Sequence, residues 1–188
     1  MVWVKSEYAG ELAVVSAWLS VLLPWYTSYV PEIDGLPGSV LFLRFPLAQI
    51  RFTFGVPFAD AIDFRTPMGL VVERADTLES GAIEIAYWVW YVGAALVVLA
   101  VLLSIVMYVD YERVIEILPV HPVRVMGALL TGAALVLALS TALFYRHRVF
   151  EEYPVPVGLV IMLLLGGSLL RVDVLDDDGS EANASDPA

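Results

Sequence analysis

The stretch VLFLRFPLAQIRFTFG, Val40 to Gly55, carries Arg44, Pro46, Gln49 and Arg51 within a run otherwise greasy enough to enter a membrane. Arg44 and Arg51 stand seven residues apart, which is one face of a helix but opposite faces of a single strand. Pro46 between them interrupts helical hydrogen bonding. Each arginine would cost roughly 2.5–3.5 kcal/mol at the centre of a spanning helix. A membrane span is therefore disfavoured here. The flanks, Leu41 to Phe45 and Ile50 to Phe54, are rich in Phe, Leu and Ile, and they predict a short extended or hairpin-like element broken at FPLAQI. At headgroup depth Phe42, Phe45, Phe52 and Phe54 can enter the acyl boundary while the guanidiniums meet lipid phosphates or Asp60, Asp63 and Glu73.

The rest of the chain sets the context for that stretch. Of 188 residues 60% are hydrophobic and 16% charged, against roughly 45–50% apolar in an average soluble domain. No cysteine is present, so disulfides, thiolate nucleophiles, iron–sulfur ligation and cysteine zinc sites are excluded. The net charge of −11 makes nucleic acid a poor partner. Lys5 is the single lysine among ten basic residues, and six of the 21 acids crowd the last sixteen residues, DVLDDDGSEANASDPA. That composition predicts a disordered acidic tail over 173–188 and exposed surfaces suited to concentrated salt, as in a halophile.

Four runs lack any charge: Leu12–Pro31, Ile85–Val109, Val125–Tyr145 and Tyr153–Leu170. Each approaches the roughly 17–25 residues that a helix needs to cross a bilayer. The expectation is an all-α integral membrane protein of four transmembrane helices over about 12–30, 84–109, 123–145 and 154–171. The 31–80 segment between the first two then forms an interfacial extracytoplasmic loop. Pro122 and Pro154 with Pro156 suit first helical turns, and Ser80 with Glu84 suits another. Trp25, Tyr26 and Tyr29 on one side and Tyr87, Trp88, Trp90 and Tyr91 on the other predict an aromatic belt. Between the second and third runs, Val114, Ile115 and Leu118 oppose Glu112, Arg113 and Glu116 in an amphipathic turn or two ended by Pro119. The N-terminus lacks a secretory cleavage pattern. The arginines of the short connections favour cytoplasmic N- and C-termini in the plasma membrane.

Chemistry-bearing groups are sparse. His121 and His147 lie outside the runs and at opposite ends of the third, which argues against haem or metal, so no cofactor is expected. No Asp, Glu, Lys or Arg falls within a run, which disfavours ion-coupled transport. Ser16, Ser20, Ser104, Thr131, Ser140, Thr141 and Ser168 have no neighbouring base and read as helix-bonding hydroxyls. The sequon at Asn183–Ser185 falls on the cytoplasmic side of this scheme and is discounted. Small residues are more informative: Ala134, Ala138 and Ala142, the pair Ala128 and Gly132, and Gly166 with Gly167 can let helices approach closely.

The opening MVWVKSEYAGELAVVSAWLSVLLPW and the FLRFPLAQIRFTFG stretch resemble a family of uncharacterised multi-pass membrane proteins of haloarchaea. The likeness runs to about Val172. It implies a membrane location and a halophilic source, and it carries no activity or site residue. The function expected is that of a noncatalytic small subunit or organiser of a membrane complex. Its partners would be the lipid bilayer and a membrane protein or a further copy of itself, with Arg44, Arg51, Phe45 and Phe52 meeting the partner. The competing expectation is an oligomeric channel or facilitator with Arg44 and Arg51 at an anion-attracting mouth.

Overall fold

In a computed structural model, residues 8–31, 38–56, 59–75, 81–146 and 153–172 are described. The sequon, His147, Ser80 and the acidic tail lie outside them. The first uncharged run does not continue as one helix. It forms α1, Ala9–Leu22, and then turns at Pro24 into strand β1, Tyr26–Val30. Proline cannot continue the helical ladder, and YTSYV is a β-branched and aromatic sequence that suits a pleated surface. The last run behaves likewise, with β5, Tyr153–Val155, ahead of α6, Val157–Leu170.

The 31–80 segment holds most of a sheet. Strands β2, Ser39–Arg44, and β3, Gln49–Phe54, form a hairpin, followed by β4, Ile62–Arg65, and α2, Pro67–Ala75. The five strands are antiparallel throughout, in the order β4-β3-β2-β1-β5. Pro46 occupies the second position of the Phe45–Ala48 turn, where the Ala48 N–H donates to the Phe45 carbonyl at 3.4 Å and Phe45 N–H donates back at 2.7 Å. A proline that would break a helix presets φ for that turn position.

This arrangement corrects the all-α, four-span reading. Among the described residues two helices, α3 (Gly81–Val109) and α5 (Pro122–Arg146), are long and apolar enough to cross a membrane. With 14 residues each, α1 and α6 are about 21 Å long, short of a hydrocarbon core of about 30 Å. An uncharged run reads as helix throughout, but the sheet-side ends of the first and last runs form strands β1 and β5. The interfacial loop is likewise a sheet and a helix.

α1, α3, α5 and α6 pack together as a bundle, with α5 touching the other three. α4, Tyr111–Ile117, closes the end opposite the sheet; the Asp110 carboxylate caps it by accepting from the Arg113 N–H at 3.1 Å. Val114 is buried and Ile115 faces out. Ala9, Ala13 and Ala17 of α1 lie in one core cluster with Val114, Leu169 and Val172, so the described ends of α1 and α6 share the α4 end.

The helices meet through small residues. A Cβ on Gly127 would stand 2.9 Å from the Gly166 carbonyl, and one on Gly166 would stand 2.5 Å from Thr131 Oγ1, so α5 and α6 touch backbone to backbone there. Gly167 has open space, Gly132 has one neighbour at 4.0 Å, Ala134 is buried, Ala138 is partly buried and Ala142 is exposed. Gly166→Val should therefore force the pair apart and lower stability by about 1–3 kcal/mol, whereas Gly167→Ala should leave it unchanged or slightly raised. Thermal unfolding in detergent micelles measures both, and equal effects would contradict the crossing described.

Candidate functional site

Residues directly opposite one another in a sheet share a face, so the register sorts every strand residue. Tyr26 faces Arg44, Arg44 faces Gln49, Gln49 faces Arg65, and Phe42 faces Arg51, which faces Asp63. All four charged strand residues, Arg44, Arg51, Asp63 and Arg65, therefore lie on one side. The hairpin explains why two arginines at an odd spacing share a face. They sit on different strands, and the turn reverses the chain between them.

That side is turned inward. Arg44 is 5% exposed; its Nε donates to Gln49 Oε1 at 2.8 Å. Its guanidinium lies 4.4 Å from the ring centre of Phe144, 4.6 Å from that of Tyr26 and 5.4 Å from that of Phe42. Nη1 has no hydrogen-bond partner. A buried cation loses several kcal/mol of hydration. An amide oxygen and three ring faces, at about 0.5–2 kcal/mol per ring, return only part of it. Arg51 and Arg65 both reach Asp63 Oδ2, at 3.1 and 3.0 Å, and are about a third exposed, so these ion pairs are worth at most about 1 kcal/mol each.

Aromatic side chains join this face to the bundle. Trp90 Nε1 donates to the Pro46 carbonyl at 3.0 Å, and Trp25 packs against Trp90 at 5.7 Å while Tyr87 packs against Phe144 at 4.9 Å. Leu70 and Val71 of α2 complete the cluster. The expected aromatic belt is thus divided: Trp25, Tyr26, Tyr87 and Trp90 are buried in the joint, and Tyr29, Trp88 and Tyr91 remain outside.

The opposite side of the sheet is apolar and turned outward. Tyr29, Phe54, Ile62, Phe64 and Val155 are exposed, and Leu41, Leu43, Ile50 and Phe52 are partly buried. Of the four residues expected to meet a partner, only Phe52 lies on this side. Arg44 and Arg51 are on the inner one, and Phe45 is in the turn. A period-two pattern was present in β3, but it does not say which face is covered.

The bundle has a similar outward apolar character. Val15, Trp18, Leu19 and Leu22 of α1 face out while Ala9, Ala13, Ser16, Ala17 and Ser20 face in. The four-residue spacing of Ala9, Ala13 and Ala17 was a legible signal that the small-residue reading passed over. Of the expected helix-bonding hydroxyls, Ser20, Ser104, Thr141 and Ser168 bond to carbonyls of the preceding turn, whereas the hydroxyls of Ser16 and Thr131 are buried with no hydrogen-bond partner. Ser140 instead crosses to the Ala86 carbonyl at 2.9 Å. At the α4 end a cleft of about 620 Å³ is lined by apolar side chains with Glu11, Tyr108 and Tyr111. Burial raises the Tyr111 phenol above its ordinary range, and its hydroxyl lies 3.4 Å from His121 Nε2. Among the described residues no group of three metal-binding side chains occurs.

Comparison with known proteins places the chain against a family model described as a family of unknown function, DUF7549, which matches residues 2–174. No curated protein matches it. The geometry itself predicts how Arg44 contributes. Arg44→Ala should empty the ring cage and lower stability by about 3 kcal/mol. Arg44→Met should recover most of that loss, because an apolar chain fills the same space without a buried charge. Chemical denaturation of the two variants decides it, and a methionine variant as unstable as the alanine one would show that the charge itself is needed.

Proposed function

Since the chain belongs to the family DUF7549, no relative supplies an activity, and we propose from its own geometry that it is a noncatalytic membrane component. In this reading it is a small subunit or organiser whose sheet holds a partner protein. The observation that carries it is the inverted polarity of the sheet: the charged side is packed against the bundle, and the apolar side is presented outward. An exposed apolar face of this kind marks a surface that meets a protein or a membrane, and in this reading it meets a protein.

Membrane embedding is supported by the outer surface of α3. Val92, Val98, Leu99, Leu102, Ile105 and Val106 are exposed there, and no charged residue interrupts the helix between Trp90 and Asp110. Water is a poor solvent for such a face; a bilayer is a good one. α3 and α5 cross, and the shorter α1 and α6 lie against them. Both described ends then share the α4 side, which we place in the cytoplasm, with the sheet outside the plasma membrane. The single lysine and the net charge of −11 support a salt-rich, haloarchaeal setting.

The channel reading draws less support from these contacts, because the Arg44 guanidinium is walled by three rings and Arg51 is held by Asp63. The test is direct. Alkaline carbonate washing should leave the protein in the membrane pellet, and liposomes carrying it alone should pass no more chloride than empty ones. Release into the supernatant, or a chloride flux lost on Arg51→Ala, would overturn the proposal.

A further inference from the structure

The outward face of the sheet must be covered by something, and its size and charge bear on what that is. Resting on the reading of the sheet as a binding module, we propose that the occupant is a second copy of this chain, stacked sheet to sheet about a two-fold axis. Tyr29, Phe54, Ile62, Phe64 and Val155 are 43–64% exposed. With aromatic side chains of about 150–250 Å² each, these and their half-buried neighbours offer roughly 600–800 Å², close to the ~800 Å² per partner of a stable interface.

Charge does not oppose a copy. The chain carries −11, yet among the described residues none of the strand positions on this face is charged. In a two-fold contact each patch meets itself, so any charge near the axis would meet its like. A neutral apolar face on a strongly acidic chain removes that repulsion. A lipid surface is a poorer match. Elements that lie on membranes flank their apolar side with basic residues, and here the three strand arginines all lie on the opposite face of the sheet. Height argues similarly. The row Tyr26, Arg44, Gln49 and Arg65 is the one joined to the bundle, and Phe54 stands five residues further along β3, about 17 Å away. Most of the face therefore rises beyond a membrane surface at the level of that row.

Two such sheets stack about 10 Å apart with their side chains interdigitated. β2 is the central strand of the five, so Leu41 and Leu43 lie nearest the axis. Because the strands run away from the bundle, an axis parallel to the helices keeps both bundles in one bilayer.

The chain has no cysteine, so single cysteines report cleanly. The full-length protein in phosphatidylcholine vesicles, at a low protein-to-lipid ratio, should give a covalent dimer with a short bismaleimide when it carries Leu43→Cys. Thr53→Cys, on the inner face, should not. In detergent, the double variant Ile62→Asp, Phe64→Asp should weaken the dimer by at least about 30-fold, with an unchanged circular dichroism spectrum. A monomeric wild-type protein, or Leu43→Cys linking no better than Thr53→Cys, would overturn the proposal. So would quenching of a fluorophore at Phe54→Cys by brominated lipid. If that double variant fails to fold, the cysteine comparison still decides. Carbonate release with persistent Leu43→Cys dimers would sink the membrane reading and leave the dimer standing; membrane retention without dimers would sink the dimer alone.

Discussion

The Trp90 indole N–H, given to the Pro46 carbonyl, is the bond at which sheet and helices become one body. Around it lie Trp25, Tyr26, Tyr87 and Phe144 in contacts with ring centres 4.9 to 6.3 Å apart. Such pairs contribute about 0.5–1.5 kcal/mol each beyond the area they bury, so the joint is comparable with the whole stability of a small domain. It also decides the facing of the sheet, because the inner face carries all four strand charges beside Tyr26, Val30, Val40 and Phe42, while the outer face carries hydrocarbon without charge.

The polarity of the molecule is inverted at both levels. In α1 alanines and serines face the core and the large apolar side chains face out. In the sheet an arginine is buried while Phe54, Ile62 and Phe64 are not. These inversions have different physical meanings. Small residues on the inside of a helix let backbones approach and leave van der Waals contact as the binding force, which is how helices associate in an apolar solvent. An apolar sheet face has no solvent of its own and calls for a companion surface.

Arg44 shows what a buried charge does for specificity here. Its fork meets one amide oxygen and three rings drawn from β1, β2 and α5. Only one register of the hairpin places it there. A slip of one residue would turn Arg44 to the outer face and Leu43 inward, leaving the Gln49 amide and the ring cage without the cation between them. The hydration lost by the guanidinium thus marks the register rather than adding stability.

Much of this was legible along the chain. Pro46 between two aromatic flanks announced the hairpin, Pro122 marked the start of α5, and the length and lack of charge of Ile85–Val109 and Val125–Tyr145 correspond to α3 and α5. The ends of the other two runs misled, because absence of charge is equally a property of buried strand and of helix. Tyr26–Val30 and Tyr153–Val155 pair with each other, Tyr29 lying opposite Tyr153, 124 positions further along the chain, and no local period records a partner that far away. The sequence by itself determined where helices could not go and which residues were too apolar for water. Tertiary structure alone decided which side of the sheet is covered, for that follows from where Trp90, Phe144 and α2 press, and a strand's alternation is symmetric until something packs on one face.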